Sequence, residues 1–411
     1  SKAPMQRFVD RFAALYTPAV FVIALAVALL TPWWLEWSWS QALYKALVLL
    51  VIACPCALVI ATPVTVVSGL ASAARRGILI KGGIYLEDAR KLKVIALDKT
   101  GTITEGKPKL VATEILDQTV SEKVILEWAG SLAALSNHPV SKAISTALAP
   151  SATVVDHFMA LPGRGVQGRI GNQDLILGNH RLIEERKLCG PAIEARLVEH
   201  EAQGRTMTLL ANESGVLAIF AVADTIKPHA REAISALHTL GVKAVMLSGD
   251  NQATAQAVAA QANVDDARGN LLPDDKLKAI EALQKEFGPT AMTGDGINDA
   301  PALARADIGI AMGAAGTDTA MEAADIVIMN DDLRRIPEAI QLSRTTYRVL
   351  WQNIILALGI KAIFLVLALL GSATMWMAVF ADMGASLLVV GNGLRLLRLG
   401  QPDDQSTKVH V

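Results

Sequence analysis

Charge is scarce in this sequence. Asp, Glu, Lys and Arg make up 19% of its 411 residues, whereas 52% are hydrophobic. A typical soluble chain carries about 25% charged residues, and the mean hydropathy here is +0.38. An ordinary soluble protein is thereby excluded. Neither sign of charge dominates: 38 basic against 39 acidic residues leave a net charge of −1. No general affinity for polyanions follows, and nucleic acid is not expected as a partner. Three cysteines are too few for a disulfide scaffold. Two of them lie inside an apolar run, which points to ligation rather than cross-linking. No GxxxxGK[ST] phosphate loop occurs.

The apolar excess sits at the two ends. No charge occurs from Phe12 to Leu35 or from Ala46 to Ala74. A membrane span needs about 20 predominantly apolar residues, so each run predicts one helix. The tryptophan cluster Trp33, Trp34, Trp37 and Trp39 lies between them, as at a membrane interface. Val349 to Leu394 carries only Lys361 and Asp382, and Gly371-Ser372-Ala373-Thr374 divides it into two more spans. Four helices in two hairpins are expected. Lys2, Arg7 and Arg11 precede the first and Arg75, Arg76 and Lys81 follow the second. Arg344 and Arg348 precede the third, and Arg395 and Arg398 follow the fourth. The positive-inside rule then places both termini and the long middle segment in the cytoplasm. The start of the chain is amphipathic and carries no signal-peptide cleavage pattern.

The middle alternates short β-branched runs with helical stretches. Lys93–Leu97 reads as a buried strand ending at Asp98. Val242–Leu247 ends at Ser248-Gly249-Asp250, Pro289–Met292 ends at Thr293-Gly294-Asp295, and Ile308–Met312 reads as a fourth strand. In open parallel α/β sheets, ligands bind beyond the carboxyl ends of the strands. Three acidic loops at one edge predict phosphoryl transfer. An aspartate such as Asp98 attacks a phosphoryl group once a cation screens the charges. Asp295 and Asp299 offer hard oxygens suited to Mg²⁺, and Lys276 can neutralise phosphoryl oxygens.

These residues lie in DKTGTITEGKP (98–108) and TGDGINDAP (293–301). The pair resembles a P-type ATPase, whose phosphorylation domain has the haloacid dehalogenase fold. The resemblance implies that Asp98 is phosphorylated and that Asp98, the Thr100 carbonyl and Asp295 hold Mg²⁺. It implies that Ser248, Gly249, Asp250 and Lys276 steady the phosphoryl group, with Asn298 and Asp299 in support. Related soluble phosphatases have an acid/base Asp two residues after the nucleophile. Thr100 stands there in this chain, so the aspartyl phosphate should persist. Between the motifs, SNHPVSKAI (136–144), GRGVQG (163–168) and Leu177-Gly178-Asn179 resemble the nucleotide domain of heavy-metal P-type ATPases. His138 would contact adenine, with Gly163, Gly165, Gly178 and Asn179 close to ATP. Ala133 stands where the family often has glutamate, which implies a weaker or rearranged grip on adenine. Arg169-Ile170 reads as strand, so the glycine motif does not predict a dinucleotide fold.

Ala53-Cys54-Pro55-Cys56 names the cargo class. Proline interrupts the helix and frees carbonyls, and two flanking thiolates suit soft cations rather than Na⁺, K⁺ or Ca²⁺. Charges at membrane depth are functional and paired by default. Asp382 can ligate a divalent ion, and Lys361 can serve as its internal counter-ion. FADMGASLLVVGNGLRLLR (380–398) resembles the zinc, cadmium and lead exporters, and the Tyr, Asn, Met and Ser pattern of copper exporters is missing.

The expected fold class is therefore four transmembrane helices plus a cytoplasmic α/β haloacid-dehalogenase-like domain with an inserted α+β nucleotide domain. The expected boundaries are 1–75 and 341–400 for the membrane hairpins, 76–112 with 224–340 for the phosphorylation domain, 113–223 for the nucleotide domain and 401–411 for a tail. ATP, Mg²⁺, membrane lipid and Zn²⁺, Cd²⁺ or Pb²⁺ are the implied partners, in a plasma membrane of bacterial inner-membrane type. No TGE actuator loop occurs, so the resemblance implies the C-terminal part of a longer transporter. The actuator and first membrane helices would come from the remainder, and this part alone would not complete the cycle. A copper exporter and a membrane-anchored phosphatase or metal sensor are the alternatives. Cys189 reads as a structural or surface thiol. His157, His180, His200, His229 and His238 show no ligand spacing.

Overall fold

The computed structural model describes residues 3–149, 153–294, 299–313, 318–370 and 374–400. The chain forms two compact units. One holds the described residues up to Leu92, Asp325–Asn330 and those from Arg335 on; the other holds Lys93–Ala324 and Asp331–Arg334.

The first unit begins with α1 (Pro4–Trp34), which starts on a proline where the missing N–H costs nothing. α2 (Trp39–Ala53) opens on a capping box: Gln41 N–H donates to Ser38 Oγ, and Ser38 N–H donates to Gln41 Oε1. It begins seven residues before the charge-free run, because Lys45 lies within the helix. α3 (Cys56–Arg75) follows after the single break at Cys54-Pro55. A short strand β1 (Ile78–Ile80) and helix α4 (Gly83–Asp88) come next. Glu87 of α4 is buried, and its Oε2 accepts the Met5 N–H at 3.1 Å, which ties down the start of α1.

The second unit holds two sheets. Its chain order is β2 (Val94–Asp98), β3 (Lys109–Ile115), α5 (Glu122–Ala134), α6 (Pro139–Leu148), β4 (Asp156–Leu161), β5 (Gly165–Ile170) and β6 (Gln173–Gly178). There follow α7 (His180–Glu185), α8 (Pro191–Glu201), β7 (Thr206–Asn212), β8 (Gly215–Ala223), α9 (Ala230–Thr239), β9 (Lys243–Leu247), α10 (Gln252–Ala262) and β10 (Asp266–Arg268). The unit closes with α11 (Pro273–Phe287), β11 (Thr290–Gly294), α12 (Ala300–Arg305), β12 (Ile308–Met312) and α13 (Asp318–Ala323).

Strands β12, β11, β2, β9 and β10 lie side by side in that order, each pair parallel. Every residue of β2, β11 and β12 is buried, as befits strands covered on both faces. Register sets the site. Asp98 lies opposite Leu247, and Leu97 opposite Thr293. The three polar loops therefore leave one edge at one level.

The other sheet is antiparallel, in the order β3-β8-β7-β6-β5-β4. Ile125, Leu132 and Ile144 of α5 and α6 pack with Leu177 and Phe220. Ile183 and Leu197 of α7 and α8 pack with Met207 and Leu209. Two connections join the sheets, and they run clamped together. Asp224 accepts the Gly106 and Lys107 N–H groups, each at 3.1 Å, and Glu105 N–H donates to Thr225 O.

The first unit ends with β13 (Ile326–Ile328), antiparallel to β1, then α14 (Arg335–Leu369) and α15 (Met375–Leu394). α14 starts well before the apolar run at Val349. The divider Gly371–Ala373 lies outside the described residues. Among the described residues, the helices α1, α2 with α3, α14 and α15 give four candidate membrane spans, matching the expected number. Polar groups knit three of them: buried Asn353 donates from Nδ2 to buried Thr65 Oγ1 at 3.1 Å, and half-buried Asn392 donates from Nδ2 to Asn353 Oδ1 at 2.9 Å. Gly393 permits the approach, since a Cβ there would fall 2.8 Å from Thr65 Oγ1.

Candidate functional site

Asp98 ends β2, with its side chain almost wholly buried. Lys276, in the first turn of α11, reaches it with an ion pair and also contacts Asp299 Oδ1 at 2.7 Å. Burial works against the lysine charge. The two carboxylates outweigh it and hold the ammonium well above lysine's usual range. Gly294 makes room for Asp299: a Cβ on Gly294 would fall 2.7 Å from Asp299 Oδ2. Gly294→Ala should therefore push Asp299 off Lys276. On the sequence expectation that Asp98 takes phosphate from ATP, a misplacement of about 1 Å, which can cost roughly a hundredfold in rate, should slow that incorporation by the same order. An unchanged rate would show that the Asp299 position does not matter.

The loop after β9 meets the same edge. Ser248 Oγ donates to Asp250 Oδ2 at 3.2 Å and accepts the Asp250 N–H at 3.1 Å. Asp250 is also held by Lys99 in an ion pair and by Thr206 Oγ1 at 3.2 Å. Sequence reasoning missed Lys99 and Thr206. Lys99 stood inside the first motif, but Thr206 is brought in only by the fold. Gly249 has room for a Cβ, which would meet Leu271 O at 3.5 Å in ordinary van der Waals contact. Thr100 and Gly101 turn the chain sharply, with φ −75° and +71°. Lys227 steadies that turn by donating to Gly101 O at 2.6 Å and to Asp331 at 2.9 Å. Asp295 and Asn298 lie outside the described residues.

The glycine motifs come together on the antiparallel sheet. Asn179 Nδ2 donates to Gly163 O at 3.0 Å, and its N–H to Arg164 O at 2.8 Å. Gly165 faces Gly178 across β5 and β6. At φ +146° a Cβ on Gly165 would lie 2.3 Å from Leu177 O, so only glycine fits. His138 caps α6, its Nδ1 accepting the Val140 N–H at 3.3 Å. The ring is exposed by area but crowded by surrounding protein, which pulls its pKa below the usual value; the field of Asp250 opposes this. A neutral ring with its proton on Nε2 satisfies both observations. Ala133 is fully buried in the α5 core.

In the other unit, Pro55 takes the backbone out of helix, and Cys54 has φ −57° and ψ 123°. Lys361 of α14 collects the carbonyls this frees. It donates to Ile52 O at 3.2 Å, to Cys54 O, and to Asp382 Oδ1 of α15 at 2.9 Å. The Lys361–Asp382 pair is thus present, and it meets the helix break. Here one expectation is corrected. Cys54 and Cys56 are joined as a disulfide, with Cα atoms 5.4 Å apart, rather than left as two thiolates. Proline between them turns both sulfurs to one side, within bonding reach. The same convergence serves a two-sulfur ligand set once the bond is reduced.

Sequence reading also passed over a group that the fold assembles. His180, Cys189 and Glu194 offer one donor each, all within 4.8 Å of one another.

A buried aspartate at the end of a central parallel strand, paired to a lysine and facing two further acidic loops, defines a class. Residues 92–307, just over half the chain, match the haloacid dehalogenase-like hydrolases, and the chain belongs to that family. Over 97% of its length it is also similar to metal-transporting ATPases. It is 42% identical to the probable cadmium-transporting ATPase of Alkalihalophilus pseudofirmus and covers 56% of that protein. It is 43% identical to the zinc/cadmium/lead-transporting P-type ATPase of Escherichia coli and covers 53% of it. The crystal structure of a zinc-transporting PIB-type ATPase in its E2·Pi state superposes with a TM-score of 0.77 at 43% identity. That match covers 97% of this chain and 65% of the other. The chain spans about half the length of the curated relatives it matches.

Proposed function

We propose that this chain is the phosphorylated and ion-conducting portion of an ATP-driven exporter of Zn²⁺, Cd²⁺ and Pb²⁺. The carrying observation is the Asp98–Lys276–Asp299 cluster at the sheet edge in a chain that also has Lys361 and Asp382 at a broken membrane helix. In the proposed reaction, Asp98 Oδ attacks the γ-phosphorus of ATP. The bond to the β–γ bridging oxygen breaks, and ADP leaves. Lys276 offsets charge on the transferred group; Ser248, Gly249 and Asp250 steady it, and Asn298 and Asp299 support the pocket. The oxygens of Asp98, Thr100 and Asp295 form a hard donor set that fits Mg²⁺, which would supply charge screening there. His138 would meet adenine with its outward Nε2–H edge, and Gly163, Gly165, Gly178 and Asn179 would lie along the nucleotide. Thr100 offers no carboxylate to activate water, so the aspartyl phosphate would wait for a loop supplied by the rest of the protein.

The cargo reading rests on donor chemistry. Two thiolates and one carboxylate carry three negative charges. Lys361 offsets one, and a divalent ion offsets the other two. A monovalent ion would leave a buried charge uncompensated. The proposed division is 1–75 and 341–400 in the membrane, 76–112 and 224–340 for phosphorylation, 113–223 for ATP, and 401–411 as a tail. The actuator and first membrane helices would come from the remainder of the transporter.

The test joins the chain to that remainder and reconstitutes it in vesicles under reducing conditions. ATP hydrolysis should rise with Zn²⁺, Cd²⁺ and Pb²⁺ and stay at its basal rate with Cu⁺. Stimulation by Cu⁺ instead would replace the cargo. Hydrolysis without a phosphorylated intermediate would replace the exporter by a phosphatase.

A further inference from the structure

The second unit carries a metal-ligating group that the chemistry assigned above does not use, beginning next to Asn179. His180 opens α7, Cys189 lies in the loop after it, and Glu194 sits in the first turn of α8. Such residues, spread over two short helices and the loop between them, give no sequence signature. The packing of α7 and α8 on β7 brings them together. His180 Nε2 lies 3.0 Å from Glu194 Oε1, and one donor from each of the three residues falls within 4.8 Å of the others.

A second observation is independent of those three. Glu201, at the end of α8, is 7% exposed, and its Oε1 is buried without a hydrogen-bond partner. That oxygen lies 3.9 Å from His180 Nδ1, the ring nitrogen that does not face Glu194. A metal-binding histidine characteristically donates its other N–H to a carboxylate, which fixes the tautomer and strengthens the ligand. Glu201 stands where that carboxylate is needed. Asn251 holds the Glu201 side chain by a hydrogen bond but leaves Oε1 without one, and a lone surface thiol would not explain that free oxygen beside the imidazole.

We infer that His180 Nε2, Cys189 Sγ and Glu194 form a binding site for one zinc- or cadmium-class cation, with Glu201 orienting the imidazole. One nitrogen, one sulfur and one carboxylate oxygen suit a borderline-soft divalent ion, and three protein ligands leave a position for water. Zinc bonds of about 2.0–2.3 Å set tetrahedral donors roughly 3.3–3.6 Å apart. The widest pair must therefore close by about an ångström. Cys189 is on a loop and can supply that movement. The ion binds the thiolate, so its entry displaces the thiol proton to water. The site would pin α7 to α8 one residue beyond Asn179.

The sequence makes the test clean. It has three cysteines, so the 411-residue chain carrying Cys54→Ala and Cys56→Ala keeps only Cys189. Titrated with Cd²⁺ in detergent, this protein should develop an ultraviolet thiolate-to-cadmium charge-transfer band that saturates at one ion per chain. Cys189→Ser should abolish the band. His180→Ala and Glu194→Gln should each weaken binding at least tenfold, and Glu201→Gln by roughly 10–100-fold, as for lost outer partners. Glu194 is partly exposed, so its isosteric change leaves the fold intact; unchanged thermal unfolding without Cd²⁺ verifies this. Absence of the band overturns the site. A band whose affinity is indifferent to His180 and Glu194 also overturns it, since a lone thiol then accounts for everything.

Discussion

Asp98→Asn protein given ATP and Mg²⁺ should incorporate no acid-stable, hydroxylamine-labile phosphate, whereas the parent chain should. The amide has the shape of the carboxylate but no anionic oxygen to attack phosphorus. Loss should be complete to background, because no second carboxylate replaces Asp98 at the end of β2. The fold should survive. Lys276 would still hold Asp299 at 2.7 Å, so no buried charge is orphaned. Lys276→Met is the informative contrast. It leaves Asp98 and Asp299 facing each other in a buried site without their cation. Breaking such a pair from one side costs about 3–5 kcal/mol, which should show as a marked drop in the unfolding temperature. Phosphate uptake by Asp98→Asn would overturn the reaction proposed above. Equal stability of the two variants would overturn the account of Lys276.

Much of this was readable in the residues. The parallel strands announced themselves as unbroken apolar runs ending in acidic loops, and β2, β9, β11 and β12 fall within two residues of the expected limits at either end. Hydropathy located four spans but not their ends. α2 absorbs Lys45, and α14 extends through an amphipathic stretch before Val349, because a helix does not stop where its apolar stretch stops. The glycine pattern identified a close approach, and the fold supplied its reason: Gly165 has no room for a Cβ against Leu177 O. What stayed hidden depends on tertiary packing. Thr206 reaches Asp250 across forty-four positions of sequence. Glu201 reaches His180 only because α7 and α8 share one face of a sheet. Neither distance leaves a periodic trace. The pairing of Cys54 with Cys56 was misread for a different reason, since an apolar run says nothing about the oxidation state of its sulfurs.

Lys361→Met should have two opposite effects. Its ammonium now serves Asp382 and the carbonyls of Ile52 and Cys54. Removing it strands a carboxylate at membrane depth, and a loss of about 3–5 kcal/mol follows for a pair broken from one side. Adding Asp382→Leu should return most of that stability, because no unpaired charge is then left behind. A salt bridge that merely locks α14 to α15 predicts this much and nothing further. The counter-ion proposal predicts more. If lysine and cargo compete for Asp382, Lys361→Met frees the carboxylate, and the reduced chain should bind Cd²⁺ at least tenfold more tightly and release it more slowly. The double variant should bind more weakly than the parent, having lost its oxygen donor. Cadmium affinity indifferent to Lys361 would confine that residue to holding the helices together. It would leave the cargo's departure from Asp382 without a displacing charge.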